Sequence, residues 1–503
     1  MKRSWFVVKI KACRNSISWV LAIVFIIGLF GNAGLSHASL EPSTKSKHSL
    51  VIQHATVVDV RSGKLIQNQT IIVNGNKISY IGNGEDVTLP KNAKVRDATG
   101  QYVIPGLWDM HVHLLKDYKH AFPLFLAHGV TGIRDLGTDM SHIELWKKAI
   151  QNGMPAPRTV YTGAILNQGV HVPFHFDLKT EQEARKAVRS IAEKGGDFVK
   201  VYSGLPRSIY NVVIDEARKY RLPVTGHLPF QVRAIDGVRM GQKSMEHLNG
   251  LFIATSSKEA ELLKKPDLPK RYFEYEMIAN KHYDSKVAAK LFNEFAENEV
   301  WQVPTLITPI NMAKLEIDPR AKYVPPAIQK EWITFIKTMK DTKELKLNVE
   351  YAKMMGGLVE KMNDAGVPIM AGTDSATLIP NSIFGSSLHD ELQLLVKNGL
   401  SPLQALQTAT INPARYFERV YELGTVEEGK LADLVVLEAN PLEDIRNTAR
   451  ISAVVFNGKL MEKKELAKAI KTYDLVKMED VKLEPKQTKP SNSSLHHHGL
   501  HAH

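Results

Sequence analysis

Between Ser49 and Asp97, apolar and polar positions alternate in short runs: LVIQHATVVDV from Leu50 and QTIIVNGNKISYIG from Gln69. Asn74-Gly75 and Gly82-Asn83-Gly84 interrupt them. Period-two runs bounded by such turn signals predict a small antiparallel sheet. The same texture returns near the other end, in ADLVVL (Ala432–Leu437) and ISAVVFNGK (Ile451–Lys459). The two ends are therefore expected to join in one small β-sandwich domain, with parts at 49–104 and 418–462. Between them the pattern changes. Candidate strands are Tyr102–Asp109, Val130–Asp135, Thr159–Leu166, Phe198–Tyr202, Pro223–His227, Ser244–His247, Trp301–Ile307 and Val367–Thr373. Amphipathic helical stretches such as Glu181–Lys194, Arg207–Tyr220 and Ser285–Asn298 separate several of them. Eight strands alternating with helices over about 300 residues predict an α/β fold of the (β/α)8 TIM barrel type across 105–417, with its chemistry at the strand C-termini. Asn311–Met362 is long, charged and helical, a candidate lid.

The pattern differs before the first strand. Lys2, Arg3, Lys9, Lys11 and Arg14 stand without any acid, Ser18–Phe30 is largely apolar, and Ser36-His37-Ala38 offers small residues for cleavage. This is the layout of a signal peptide over residues 1–38, followed by a polar linker at 39–48. The apolar run is shorter than the roughly 20 residues a membrane span needs. The expectation is a secreted or periplasmic protein with no stable membrane span after cleavage; an uncleaved anchor is the competing reading. The only cysteine, Cys13, lies in this segment, so the mature chain is expected to hold no disulfide and no thiolate chemistry.

Composition adds little beyond a globular balance, with 44% hydrophobic and 23% charged residues. Loss of the leader would lower the formal charge from +12 to +7. No basic block is interleaved with aromatics, which argues against nucleic acid as a partner and leaves a small-molecule substrate. A homo-oligomer is compatible with the sequence. The basic tail at 463–503 ends in LHHHGLHAH (Leu495–His503). It reads as a solvated end in preference to a metal scavenger.

The chemistry begins in YVIPGLWDMHVHL (Tyr102–Leu114), where only Val112 separates His111 from His113. On a strand, a period of two puts both imidazoles on one face, a ready pair of ligands for a divalent metal such as zinc. Lys200 follows in DFVKVYS, His227 in VTGHLP, His247 in SMEHL and Asp374 in IMAGTDS. Each has an ordinary explanation alone: a core histidine, a snorkelling lysine, a turn aspartate. Six such residues at the C-terminal ends of candidate barrel strands point instead to a metal site.

Those segments, together with PGLWDMHVHL, FVKVYSGLP, AGTDS, SLHDELQLLVKNGLSPLQALQTATINPARYF and GTVEEGKLADLVVL, resemble the amidohydrolase superfamily. More narrowly, they are similar to its imidazolonepropionase-like and prolidase-like metal-dependent branch. The resemblance runs from Ser49 to about Lys459. It implies one or two divalent metals, commonly Zn2+, with His111, His113 and Asp374 on the more buried ion and His227 and His247 on the second. Lys200 would bridge the two as a CO2-derived carbamate. Carbamate formation turns a cation that repels metals into an anionic oxygen donor.

Deaminases of the superfamily carry HxxE, whereas His247 here precedes Leu248-Asn249-Gly250, which favours a hydrolase. The implied mechanism is attack of a metal-bridging hydroxide on an amide carbonyl, with Asp374 as general base and then acid. Candidate substrate contacts are Tyr202, two residues after Lys200, and His171 and His175 in the loop GVHVPFHF. Arg134 and Asp135 read as an ion pair stiffening the barrel, and His389 opens a helix with no assigned role. The expected function is a secreted amidohydrolase acting on a dipeptide, an Xaa-Pro-type substrate or an N-acyl amino acid. The alternatives are a lactone, ester or cyclic-amide hydrolase with the same centre, and a non-catalytic metal-binding envelope protein.

Overall fold

The structure is a computed structural model that describes residues 49–170, 172–340 and 342–472. The expected signal peptide at 1–38, the expected linker at 39–48, His171 and the histidine-rich end of the chain lie outside the described residues.

Strand β1 (Leu50–Val58) turns Leu50, Ile52, Ala55 and Val57 to one apolar core. The alternation slips by one at His54, which sits in the left-handed region (φ +57°) where the register against β2 (Leu65–Asn74) shifts. This is a bulge, and it returns Ala55 to the inner face. After β3 (Lys77–Asn83) and β4 (Lys94–Asp97), the expected strand Tyr102–Asp109 divides at Gly106 into β5 (Tyr102–Pro105) and β6 (Leu107–Val112). A Cβ on Gly106 would meet Thr131 Oγ1 at 2.0 Å, so only glycine lets the chain cross between two sheets at this point.

Nine short parallel strands carry the middle of the chain. They are β6, β7 (Val130–Asp135), β8 (Arg158–Tyr161), β9 (Ile165–Asn167), β10 (His175–Asp177), β11 (Val199–Val201), β12 (Val224–Gly226), β13 (Gln242–Glu246) and β14 (Trp301–Val303). The chain then returns to the first sheet as β15 (Leu434–Leu437), β16 (Ile451–Phe456) and β17 (Lys459–Glu462).

The first sheet has the order β17-β16-β15-β5-β1-β2-β3, with β4 also on β1. It is mixed, not antiparallel as expected, because β1 pairs in parallel with both β4 and β5. Its eight strands form one continuous ladder. Ile78 of β3 and Leu460 of β17, from the two ends of the strand order, share a core, and an isolated bridge joins Lys77 to Leu431.

The parallel strands form two arcs, β6-β7-β8 and β10-β9-β11-β12-β13-β14. Thr159–Leu166 is two strands, β8 and β9. The expected eighth strand near Val367–Thr373 makes only isolated parallel bridges, Gln302–Ile369 and Val112–Ser375. Met110 N still donates to Ala371 O at 2.9 Å, and Met370 N to Gln302 O at 2.9 Å, so this segment spans the gap between β14 and β6. On the far side, Asp197 N donates to Tyr161 O at 2.8 Å. Among the described residues the ladders therefore do not close into a single ring.

The helices follow their sequence signals closely. Thr180 and Glu183 form a capping box for the helix Glu181–Glu193, which buries Ala184, Ala187, Val188 and Ile191 at helical spacing. Part of the expected lid stretch packs into the body of the protein. The helix Lys343–Asp364 buries Tyr351, Met355, Leu358, Val359 and Met362 in the main core. Past β17, where the sequence reads as a tail, Lys463–Thr472 is helical and Leu466 joins that core. No helix among the described residues is long and apolar enough to cross a membrane.

Candidate metal centre

The strand ends converge on His111. It lies fully buried in β6, and His113 follows just beyond the strand, with ring centroids 5.3 Å apart. Asp374 Oδ1 stands 3.3 Å from His111 Nε2 and 3.4 Å from His113 Nε2. One ligand atom from each of the three lies within 4.8 Å of the others. Lys200, in β11, brings Nζ to 3.5 Å from His111 Nε2. The His247 ring lies 4.5 Å from that of His111 and 4.8 Å from that of His227. All six residues singled out in the sequence thus meet in one buried cluster.

Two backbone features permit this convergence. Gly372 lets the segment before Asp374 lie against β6; a Cβ there would stand 2.9 Å from His111 N and 2.8 Å from its Cβ. Non-glycine residues also take left-handed backbone at the strand ends: His247 (φ +61°), Leu248 (φ +56°), Thr305 (φ +52°) and Asp374 (φ +53°). Each costs roughly 1–2 kcal/mol, which surrounding contacts must offset. At His247 the reason is visible. Neighbours on a strand point to opposite faces, yet Glu246 and His247 both reach His111. The left-handed turn at His247 redirects its ring inward.

Hydrogen bonds orient the imidazoles. His111 Nδ1 donates to Glu246 Oε2 at 2.8 Å. His247 Nδ1 lies 2.8 Å from Thr305 Oγ1, whose own proton goes to Pro304 O at 2.7 Å, so the ring nitrogen is the donor. His113 Nδ1 faces Gly137 O at 3.4 Å, a longer contact of the same sense. In each case the Nε2 lone pair is left facing the cluster. His227 Nδ1 is met by Ser203 Oγ at 2.9 Å and the Asn249 side-chain amide at 3.0 Å. Burial, with Lys200 nearby, holds His111 well below its usual pKa, and burial lowers His247 to about 4. Burial also lowers Lys200 to about 8, although Glu246 and Asp374 oppose it, so part of its amine population is unprotonated near neutral pH.

These residues fit a divalent metal. His247 Nε2 is buried without a hydrogen-bond partner among the described residues. Its lone pair belongs to a set of neutral imidazoles and a carboxylate of the kind zinc takes.

The supporting shell was not legible in the sequence. Arg134 does not pair with Asp135. Its guanidinium grips both carboxylate oxygens of Glu246, at 2.9 and 3.0 Å, with all these groups fully buried. Asp135 instead accepts from Leu114 N at 2.7 Å and Thr138 Oγ1 at 3.1 Å, holding the turn after His113. Strand alternation puts Arg134 and Asp135 on opposite faces, which rules out the expected pair. Asp109 accepts from Thr373 N at 3.0 Å and Thr373 Oγ1 at 2.6 Å, next to Asp374, and burial raises its pKa to about 7. The one available signal was a carboxylate two residues before, or directly beside, a candidate ligand in an otherwise apolar strand. Arg134→Met would leave the Glu246 carboxylate buried and unpaired, a loss of about 3–5 kcal/mol. Chemical denaturation should show it, and a change under about 1 kcal/mol would contradict this account.

The expected substrate contacts are placed unevenly. Tyr202 is buried and stacks on His227 (centroids 3.9 Å, 28°). Burial and the nearby Asp374 push its phenol pKa above the usual value. It lines a narrow cavity with His113, Leu115, Ile165, Val172 and Leu378, of about 10 Å³, room for one water. His175 does not line this cavity; it opens β10, half-buried, with Nδ1 donating to Val172 O at 2.6 Å. A larger groove of about 460 Å³ lies elsewhere, between Ile307, Arg320, Leu394 and Arg446, and none of the six clustered residues lines it.

His389 lies away from the cluster, bonded to Thr448 Oγ1 and His128 O at 3.0 Å each. Burial lowers its pKa to about 4. The unfolded chain takes up this proton below about pH 6.5, whereas the fold refuses it until about 4. The stability involved is therefore full above 6.5 and lost as pH falls toward 4. In His389→Gln, the stability lost between pH 7 and pH 5 should shrink by about 2 kcal/mol. Equal losses in the two proteins would rule the shift out.

Residues 324–461 match the Amidohydrolase family. An ochratoxinase from Aspergillus niger is 21% identical over 482 residues, covering 82% of this chain and 86% of the relative. Among solved structures, the bottromycin amidohydrolase superposes with a TM-score of 0.67 at 22% identity, covering 84% of this chain and 88% of that one. A Xaa-Pro dipeptidase with bound methionine in its active site gives 0.61 at 21% identity, covering 82% and 100%. Likeness at these identities establishes a shared fold.

Proposed function

We propose, from this resemblance to the amidohydrolase superfamily, that the protein hydrolyses a small amide at a metal centre held by His111, His113, Lys200, His227, His247 and Asp374. The observation that carries the reading is the approach of Asp374 Oδ1 to two imidazoles whose Nε2 lone pairs face it. On this reading the two parallel arcs and the Val367–Thr373 segment between them belong to one barrel of the (β/α)8 type, with this cluster at its C-terminal mouth. A bound divalent metal would supply Lewis acidity and lower the pKa of a water to about 7.

The protein's own groups carry the rest. The unprotonated Lys200 amine would add to CO2, forming an N–C bond and releasing one proton, to give the anionic carbamate. Asp374 would take the proton of the attacking water and return it to the departing amine. Tyr202, stacked on His227 at the cavity wall, would orient the substrate. The similarity to a Xaa-Pro dipeptidase supports a dipeptide, Xaa-Pro-type or N-acyl amino acid substrate. The basic and apolar leader supports export to a periplasm or beyond.

The test is amine release from a panel of dipeptides and N-acyl amino acids, using zinc-loaded protein in bicarbonate. Turnover of some members, absent from Asp374→Asn, is expected. Silence across the panel with metal bound would reject the amide and move the assay to lactones, esters and cyclic amides.

A further inference from the structure

The turn after β14 carries two unfavourable features side by side. Thr305 is β-branched, yet its backbone is left-handed at φ +52°, a conformation such residues avoid because Cβ crowds the carbonyl. Glu391, in the helix Ser386–Lys397, is completely buried with no cationic partner in any described ion pair. Its two oxygens accept from the backbone amides that follow Thr305, Leu306 N at 3.0 Å and Ile307 N at 2.8 Å. A strained threonine and a desolvated acidic side chain, whose pKa burial pushes up to about 8, each weaken the fold unless they do something together.

What they do is visible at the other end. Thr305 Oγ1 lies 2.8 Å from His247 Nδ1 and donates its own proton to Pro304 O. His247 N donates to Val303 O at 2.9 Å, so histidine and turn are tied at two points. The same turn reaches the Asp374 segment, where Thr308 Oγ1 donates to Thr373 O at 3.2 Å. A relaxed threonine backbone would swing Oγ1 away, leaving His247 free to carry its proton on either nitrogen.

We propose that Glu391 and Thr305 are positioning residues for His247: Glu391 pins the turn, and the turn holds the hydroxyl that keeps the imidazole proton on Nδ1 and the Nε2 lone pair in the cluster. The inference deepens the metal-centre reading and rests on it for its consequence, but the tautomer itself exists without metal. It reaches back to the helix that follows the eighth strand segment, outside the ligand set.

The test uses full-length metal-free protein labelled with 15N-histidine, with the His247 signal assigned by comparison with His247→Gln. Imidazole 15N shifts separate the Nδ1–H and Nε2–H tautomers, and zinc affinity is measured in parallel by chelator competition. Wild type is expected to show the Nδ1–H form alone. Thr305→Val, nearly isosteric but without the hydroxyl, should show mixed tautomers and bind zinc about 10–100-fold more weakly. Thr305→Ser should restore both readouts, and Glu391→Gln should shift them in the direction of Thr305→Val. Wild-type tautomer and affinity in Thr305→Val would overturn the proposal. So would Thr305→Ser failing as Val does, because the loss would then come from packing. If wild type took up no zinc, the metal reading would fall and the tautomer signal alone would decide the relay.

Discussion

Asp374→Asn should lower amide turnover by about 10²–10⁴-fold, the usual contribution of a positioned acid–base group, while the protein still takes up metal. The substitution keeps size and shape. It also keeps the backbone bond from residue 374 N to His111 O, which is 2.7 Å in the parent. What disappears is the charge and the ability to accept a proton. Asp374 is fully buried between His111 and His113, so bulk water cannot substitute for it. Metal content by elemental analysis beside kcat separates the two effects. Full activity in the variant would remove Asp374 from the proton path, and loss of both metal and activity would reduce it to a ligand.

Lys200→Ala should have an effect of comparable size, about 10²–10³-fold if the lost ligand contributes the several kcal/mol expected of a metal's electrostatic stabilisation. Lys200 is almost fully buried and lies 3.5 Å from His111 Nε2, a poor place for a permanent ammonium group beside the proposed metal ligands. The proposed carbamate would resolve that conflict. Two further readouts follow. Wild-type activity should depend on bicarbonate and the variant's should not. A small carboxylate such as propionate, which fits the space the side chain vacates, should restore part of the metal uptake and turnover. Retention of full metal content and turnover by Lys200→Ala would sink the bridging role.

The sequence by itself determined the local features. His-x-His on a strand, the strand lysine and the Gly-Thr-Asp ending are short-range patterns, and a period of two or a turn signal is enough to aim them. The helices Glu181–Glu193 and Arg207–Lys219 stand within a residue of their expected spans, because capping and amphipathic spacing are also local. Tertiary structure decided what depends on distant neighbours. Arg134 chose Glu246 over adjacent Asp135, because strand alternation sets its direction and a distant strand supplies the carboxylate. The run Tyr102–Asp109 broke at Gly106 because Thr131 of another strand presses there. Left-handed backbone at His247, Thr305 and Asp374 has no sequence signal in a residue with a Cβ. It persists only where bonds from elsewhere, such as those of Glu391, hold the chain against its own preference.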